Sequence, residues 1–183
     1  MERSLLGLED CLNKEEIKLI PQKIQPFFKT THQTKNGDNN LINGIITCCN
    51  AHDFEVLVFG RMKHSILSKM CLCPDNDKTV IAVRCRKCGK VISVFDSSCD
   101  GYEQCGKGRG KDQYTHVQTK PIVCKNCKNG GFSVGIKFEY PDIQELKELE
   151  KTDIDNAFTW IWITLECNNC GTRYKNFVDC ETT

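Results

Sequence analysis

Six of the fourteen cysteines in this 183-residue chain stand in three Cys-x-x-Cys pairs. The pairs are Cys85 with Cys88, Cys124 with Cys127, and Cys167 with Cys170. A turn of this length places both sulfur atoms on one side of a tight loop, and two such turns form the tetrahedral four-sulfur cage that suits Zn²⁺. Such pairs in a reducing compartment favour thiolate metal ligands. A disulfide scaffold and a thioredoxin-type redox pair are the alternatives, although no βαβ pattern surrounds any of the three pairs.

Two segments of the chain align as copies of one unit. Cys127 aligns with Cys49, and the pair Cys167/Cys170 aligns with Cys85/Cys88. Apolar residues at alternate positions then coincide: Phe132, Val134 and Ile136 with Phe54, Val56 and Val58, and Ile163 and Leu165 with Ile81 and Val83. This alternation is typical of half-buried strands. We therefore predict an internal repeat in which each copy runs strand, insertion, strand, knuckle and strand, where a knuckle is the turn that carries a cysteine pair.

The two copies differ in their candidate ligands. The second supplies a complete set, Cys124, Cys127, Cys167 and Cys170, which predicts one Zn²⁺ site. The first supplies Cys85, Cys88 and Cys49, whereas Ile46 stands where the second copy has Cys124. Cys48 completes the predicted set, but neighbouring residues rarely point both side chains at one metal. The alternatives for the fourth ligand are therefore His52, Cys71, Cys73, Cys99 and Cys105, and a rival set combines Cys85, Cys88, Cys99 and Cys105.

Each copy resembles a zinc ribbon, because two cysteine turns stand next to predicted antiparallel strands. The wide separation of the two turns is also similar to the β-tent class of zinc-bound sheets. The glycines after two of the pairs, Gly89 and Gly171, fit this resemblance because the chain must curl back after the second cysteine. The resemblance implies a second Zn²⁺ in the first copy. It implies no specific function.

The predicted fold is mainly β with minor α. It consists of two tandem zinc-ribbon-like antiparallel units plus a short helical N-terminal segment. The predicted divisions are a helical segment and mobile linker at 1–43, the first repeat at 44–98, a flexible linker at 99–120, and the second repeat at 121–183. A further helix is expected at about 142–151. Trp160 and Trp162 alternate with apolar residues of the opposite face, which predicts a strand buried on both faces, between the repeats or against a partner.

Composition limits the possible functions. The net charge is +1, so no overall field attracts polyanions. No apolar run approaches the ~18 residues that span a bilayer, and the start of the chain lacks a signal-peptide pattern, so we expect a cytoplasmic protein without a membrane partner. The H-E-x-x-H and H-x-E motifs of catalytic zinc sites are absent. The basic stretch 106–111 is expected to be a solvated linker, with phosphate contact as the alternative.

These features favour a non-catalytic, zinc-stabilised binding or regulatory module whose partner is another protein, as in inhibitors, immunity proteins and adaptors. The insertions between the paired strands support this hypothesis, because their charges differ in sign. Residues 61–78 carry four basic and two acidic side chains, whereas residues 141–157 carry six acidic and two basic. A nucleic-acid-binding protein is the alternative, and a cysteine- or metal-dependent enzyme is the less favoured third. The sequence does not indicate an oligomeric state.

Overall fold

The computed structural model describes residues 19–64, 70–105, 117–142, 146 and 154–182. Within these ranges the chain forms eleven strands: β1 (Phe28–Asn36), β2 (Asn39–Ile46), β3 (Phe54–Phe59), β4 (Arg61–His64), β5 (Met70–Cys73), β6 (Val80–Cys85), β7 (Val91–Asp96), β8 (Lys120–Pro121), β9 (Phe132–Tyr140), β10 (Trp160–Cys167) and β11 (Arg173–Glu181). The helices with described bounds are three 3₁₀ helices, Gln25–Phe27, Tyr102–Gln104 and Ile154–Asn156. None of the described helices is long and apolar enough to cross a membrane.

Strand β9 is the centre of a curled antiparallel sheet. It pairs along its length with β10, which pairs with β11, and on its other side with β2, which pairs with β1. At the start of β9, Phe132 pairs instead with Phe54 of β3. Strand β3 continues the sheet through β6 to β7, and its second half also pairs with β8. Strands β4 and β5 form a separate two-stranded antiparallel sheet, and β5 packs against β11.

One hydrophobic core lies inside the curl of this sheet. The alternate residues of β9 from Phe132 to Tyr140 point inward and are buried, and the same holds for β10 from Ile161 to Cys167. Phe158 joins the two parts of the sheet, because its ring lies 5.0 Å from that of Phe138 in β9 and 6.3 Å from that of Phe95 in β7. Both cysteine-bearing parts of the chain therefore share one core.

The predicted fold class is wrong in its architecture. Strands from both predicted repeats pair within one sheet, so the chain does not form two tandem units. A core shared through Phe158 explains this result, because β9 and β10 bury their apolar face against the other half of the chain. The boundaries 44–98, 99–120 and 121–183 stay a prediction.

The predicted helical segment and mobile linker at 1–43 is also wrong where the structure describes it. Residues 28–46 form the hairpin β1–β2, which turns at Gly37 with a φ of +63°. β2 has the alternating burial of a strand with one face on the core. The helices expected in residues 1–18 lie outside the described residues, as does most of the helix expected at 142–151. Leu146 of that segment is fully buried, and its N–H donates to Asp142 O at 3.1 Å.

The outward face of β10 is only half-buried, in contrast to the prediction that both faces are covered. Trp160 and Trp162 stack with ring centroids 5.5 Å apart and an interplanar angle of 12°. The Lys137 Nζ lies 3.6 Å from the centroid of the Trp162 ring. The Trp160 Nε1–H donates to Asp179 Oδ1 at 2.7 Å. Among the described residues, the two tryptophans therefore stabilise each other on an open sheet face rather than packing between repeats.

Candidate metal centres

Four cysteines meet at the end of β10, and they are termed the second site: Cys124, Cys127, Cys167 and Cys170. The Sγ atoms of Cys124 and Cys170 are 3.6 Å apart, those of Cys127 and Cys167 are 3.5 Å apart, and all four lie within 4.8 Å of one another. A metal with four sulfur ligands at about 2.3 Å in tetrahedral geometry has S–S edges of about 3.8 Å. The second site therefore has the size of a tetrahedral metal centre.

Backbone geometry in both knuckles of the second site aims the sulfurs at one point. The Lys128 N–H donates to Cys124 O at 2.8 Å, and Lys128 is left-handed with a φ of 61°. The Gly171 N–H donates to Cys167 O at 2.9 Å, and Gly171 has a φ of 68°. Glycine adopts this conformation without steric cost. Each knuckle is thus a closed turn that reverses the chain directly after its cysteine pair.

Four more cysteines form the first site: Cys48, Cys49, Cys85 and Cys88. The Cys48 Sγ lies 3.7 Å from the Sγ of both Cys49 and Cys88, and all four sulfurs lie within 4.8 Å of one another. Adjacent cysteines reach one centre because Cys49 and Asn50 are both left-handed, with φ of 54° and 55°. This turn folds the second cysteine back toward the first.

The structure brings together all eight cysteines of the predicted ligand set in two groups of four. It does not bring the other candidates to either group. Cys71 and Cys73 lie in β5, the Cys99 Sγ contacts Asp96 O, and the Cys105 Sγ contacts Gly101 O. His52 is not in the first site, and the rival set with Cys99 and Cys105 is not formed. Cys85 at the end of β6 pairs with Phe54 of β3, and Cys167 at the end of β10 pairs with Phe132 of β9.

The thiols of the two sites differ in their acidity. At the second site, burial opposes ionisation of Cys124, but hydrogen bonds from Tyr174 and backbone N–H groups prevail and lower its pKa to about 6. A side-chain hydrogen bond with Asn169 lowers the pKa of Cys127, and burial raises that of Cys167 to about 11. At the first site, burial and the neighbouring thiols raise the pKa of Cys48 to about 12.

The remaining shifts at the first site have local causes. A hydrogen bond with Cys88 raises the pKa of Cys49, and a backbone hydrogen bond from Lys90 lowers that of Cys88 to about 7. Metal ligation requires thiolates. The pKa is thus lowered at two cysteines of the second site, Cys124 and Cys127, and at one of the first, Cys88.

Two hydroxyl groups adjoin the second site and were not predicted from the sequence. The Tyr174 hydroxyl lies 3.2 Å from Cys124 Sγ and accepts a hydrogen bond from the Lys125 N–H at 2.9 Å. Because the backbone group is the donor there, the hydroxyl proton remains available to the sulfur. Thr172 Oγ1 lies 3.1 Å from Cys170 Sγ. The alignment of the two copies places Ile92 where the second has Tyr174, so the first site lacks this contact. A tyrosine four residues after a cysteine pair was the available signal.

Comparison with known proteins gave no match: no family model, no curated protein and no solved structure is significantly similar to this chain. The possible chemistry of the chain is therefore inferred from the geometry of its own residues. Among the described residues, that geometry provides two groups of four cysteines that could bind metal ions.

Proposed function

We propose that each cysteine site holds one Zn²⁺ ion and that both ions are structural. The sulfur-to-sulfur distances of 3.5–3.7 Å support this proposal, because they fit a tetrahedral four-thiolate shell. Thiolate ligands in this geometry are typical of zinc and iron–sulfur centres. In the first site the metal ion would join the turn between β6 and β7 to the turn that precedes β3. In the second site it would join the turn between β10 and β11 to the turn that precedes β9.

The observation that supports a non-catalytic role is that each site offers a complete set of four cysteine ligands. Four cysteines from the chain would fill all four positions of an ion at each site, whereas a catalytic zinc keeps one position open for water. No described histidine or carboxylate joins either group. The protein is therefore best interpreted as a zinc-stabilised binding or regulatory module.

The partner that we propose for this module is another protein. The half-buried tryptophan pair on the open face of β10 supports this, because tryptophan is enriched in the energetic centres of protein interfaces. The opposite charges of the two insertions add to this support, because charged loops on a rigid scaffold are common recognition elements. Most of the acidic insertion lies outside the described residues, so its part in recognition rests on the sequence.

The experiment is a pull-down from native lysate with and without nuclease, followed by binding kinetics with the purified partner. Neutralising Glu145, Glu148 and Asp153 should slow association and weaken its salt dependence, with zinc content unchanged. Neutralising Asp75 and Asp77 in the other insertion is the matched control and should leave the association rate unchanged. Loss of the captured partner on nuclease treatment would argue against a protein partner. An association rate that is unchanged by the three substitutions would argue against recognition through the acidic insertion.

A specific observation favours nucleic-acid binding as the second candidate. Five basic side chains, all exposed, lie in or beside the knuckles: Arg86, Lys87, Lys90, Lys125 and Lys128. The net charge of the whole chain does not reveal these five side chains, and exposed basic residues are the groups that contact phosphate. Binding of the purified protein to a bare oligonucleotide should then weaken steeply with salt. Replacing Lys87 and Lys125 by Glu should abolish it, and undetectable binding at low salt would exclude this candidate.

A further inference from the structure

One carboxylate, that of Asp53, contacts the knuckles of both cysteine sites. Asp53 precedes β3 and follows the turn that carries Cys48 and Cys49. Its Oδ2 lies 3.4 Å from Arg86 Nη1, and its backbone oxygen accepts the Arg86 N–H at 3.1 Å. Its Oδ1 accepts a hydrogen bond from Asn168 Nδ2 at 2.8 Å. Arg86 lies between the paired cysteines of the first site, and Asn168 between those of the second.

The two residues that Asp53 contacts occupy equivalent positions in their knuckles. Each directly follows the first cysteine of its pair, where its orientation depends on the closed turn. Further contacts hold Asn168 in place. Its side-chain nitrogen lies 3.4 Å from His52 O, its backbone N–H donates to Gly131 O at 3.1 Å, and Ser133 Oγ lies 2.7 Å from its Oδ1. The second knuckle is thereby attached to the loop that belongs to the first site.

A glycine provides the space for this junction. A Cβ atom at Gly131 would lie 2.4 Å from Asp53 Oδ1 and 2.5 Å from Arg86 Nη1. Both separations are shorter than any that real Cβ atoms adopt, so a side chain at this position must displace the carboxylate or the guanidinium. The requirement for glycine is steric, because Gly131 is not among the residues with positive φ. Gly131 can therefore be substituted to open the junction while every metal ligand stays in place.

We propose that the two metal sites are energetically coupled through Asp53, with Asn168 and Gly131 as positioning residues. This inference rests on the proposed zinc sites. An ion that closes either knuckle fixes one of the two groups to which Asp53 binds, so the carboxylate is already ordered when the other knuckle closes. Binding of the first ion already includes the entropy cost of ordering Asp53. The second ion then binds without that cost, which produces positive cooperativity. By linkage the effect is reciprocal: each ion tightens the binding of the other by the same factor.

The test uses zinc alone and the full chain. Zinc is withdrawn from the loaded protein by a competing chelator, and native mass spectrometry counts molecules with two, one and no ions. For two sites of equal affinity, a coupling of about fivefold lowers the maximum share of the one-zinc molecule from about a half to about a third. The share should be larger in the variants Asp53→Ala and Gly131→Ala than in the parent, and a difference in affinity between the two sites raises all of these shares without removing that increase. Two variants are used because they open the junction by different means.

Glu55→Ala is the matched control. Glu55 forms an ion pair of the same type with Arg84 at 2.5 Å, but that pair joins β3 to β6 beside the first site only. The control should release zinc as the parent does. A one-zinc share that is the same in the parent, Asp53→Ala and Gly131→Ala would overturn the coupling, as would an equal change in Glu55→Ala. If the parent binds no zinc, the proposed zinc sites are wrong. Failure of the zinc sites can therefore be distinguished from failure of the coupling.

Discussion

Replacing Tyr174 by Phe removes a single hydroxyl group from the surroundings of the second site. The side chain is 2% exposed, and its hydroxyl lies 3.2 Å from Cys124 Sγ. The ring contributes separately to the core, because its centroid lies 6.4 Å from that of Phe132. Phenylalanine preserves this ring contact. The substitution therefore removes the hydrogen bonds of the hydroxyl and keeps the packing of the ring.

The expected loss follows from the type of hydrogen bond. A hydrogen bond to a charged group contributes about 1.5–3 kcal/mol. A thiolate on zinc shares its charge with the metal, so the lower end of this range applies. A loss of about 1.4 kcal/mol corresponds to a tenfold decrease in affinity. The Lys125 N–H also loses its acceptor, so the substitution removes two hydrogen bonds of the same hydroxyl.

The assay is zinc competition with a chelator, which should remove one of the two ions about tenfold more readily from Tyr174→Phe than from the parent. Tyr140→Phe is the matched control, because Tyr140 is fully buried and donates its hydroxyl to Asp155 O at 2.7 Å. The control should lose about 1 kcal/mol of folding stability but no zinc affinity. Zinc release that is unchanged in Tyr174→Phe, or weakened equally in Tyr140→Phe, would refute the role of the hydroxyl.

Three further predictions follow from the shared core, the thiol acidities and the tryptophan face. Removing zinc should lower the melting temperature within a single transition, because both sites border one core; calorimetry showing two separate transitions would contradict this. Because the pKa is lowered at Cys124 and Cys127 of the second site but raised at Cys48 and Cys49 of the first, acidification should release zinc at a higher pH from a variant that keeps only the first site (Cys127→Ser with Cys170→Ser) than from one that keeps only the second (Cys49→Ser with Cys88→Ser). The reverse order would contradict the thiol acidities. Lys137→Met should cost about 0.5–1 kcal/mol of unfolding free energy and change tryptophan emission, and unchanged emission would contradict the ring contact.

The cysteine groups could be predicted because the two ligands of a Cys-x-x-Cys pair are close together in the sequence. A Cys-x-x-Cys turn needs no distant partner to aim its two sulfurs, and the alignment of the two copies supplied Cys49. The doubt about Cys48 came from the usual divergence of neighbouring side chains. Two successive left-handed residues remove that divergence, but only Asn50 is a residue type that often adopts this conformation. A left-handed cysteine could not be predicted.

The architecture depended on contacts between distant residues. The hairpin β1–β2 was missed because β1 is a largely exposed polar strand without apolar alternation. The Asn36-Gly37 pair, a common hairpin signal, was the available clue. The pairing of β9 with β2 joins residues about 95 positions apart, and no local pattern specifies such a register. The contact of Tyr174 with Cys124 was missed for a related reason, because an inward tyrosine in a strand looks like ordinary core.

Eight of the fourteen cysteines are proposed to bind two structural Zn²⁺ ions. Elemental analysis of desalted protein, combined with mass-spectrometric counting of alkylated thiols, measures both the metal content and the state of these ligands. We expect two zinc ions per chain. We also expect that no more than six cysteines are alkylated in the native protein, and that all fourteen are alkylated after chelation and denaturation. Protein that carries no zinc, and whose eight site cysteines are alkylated in the native state or joined in disulfides, would show that the cysteines are not metal ligands.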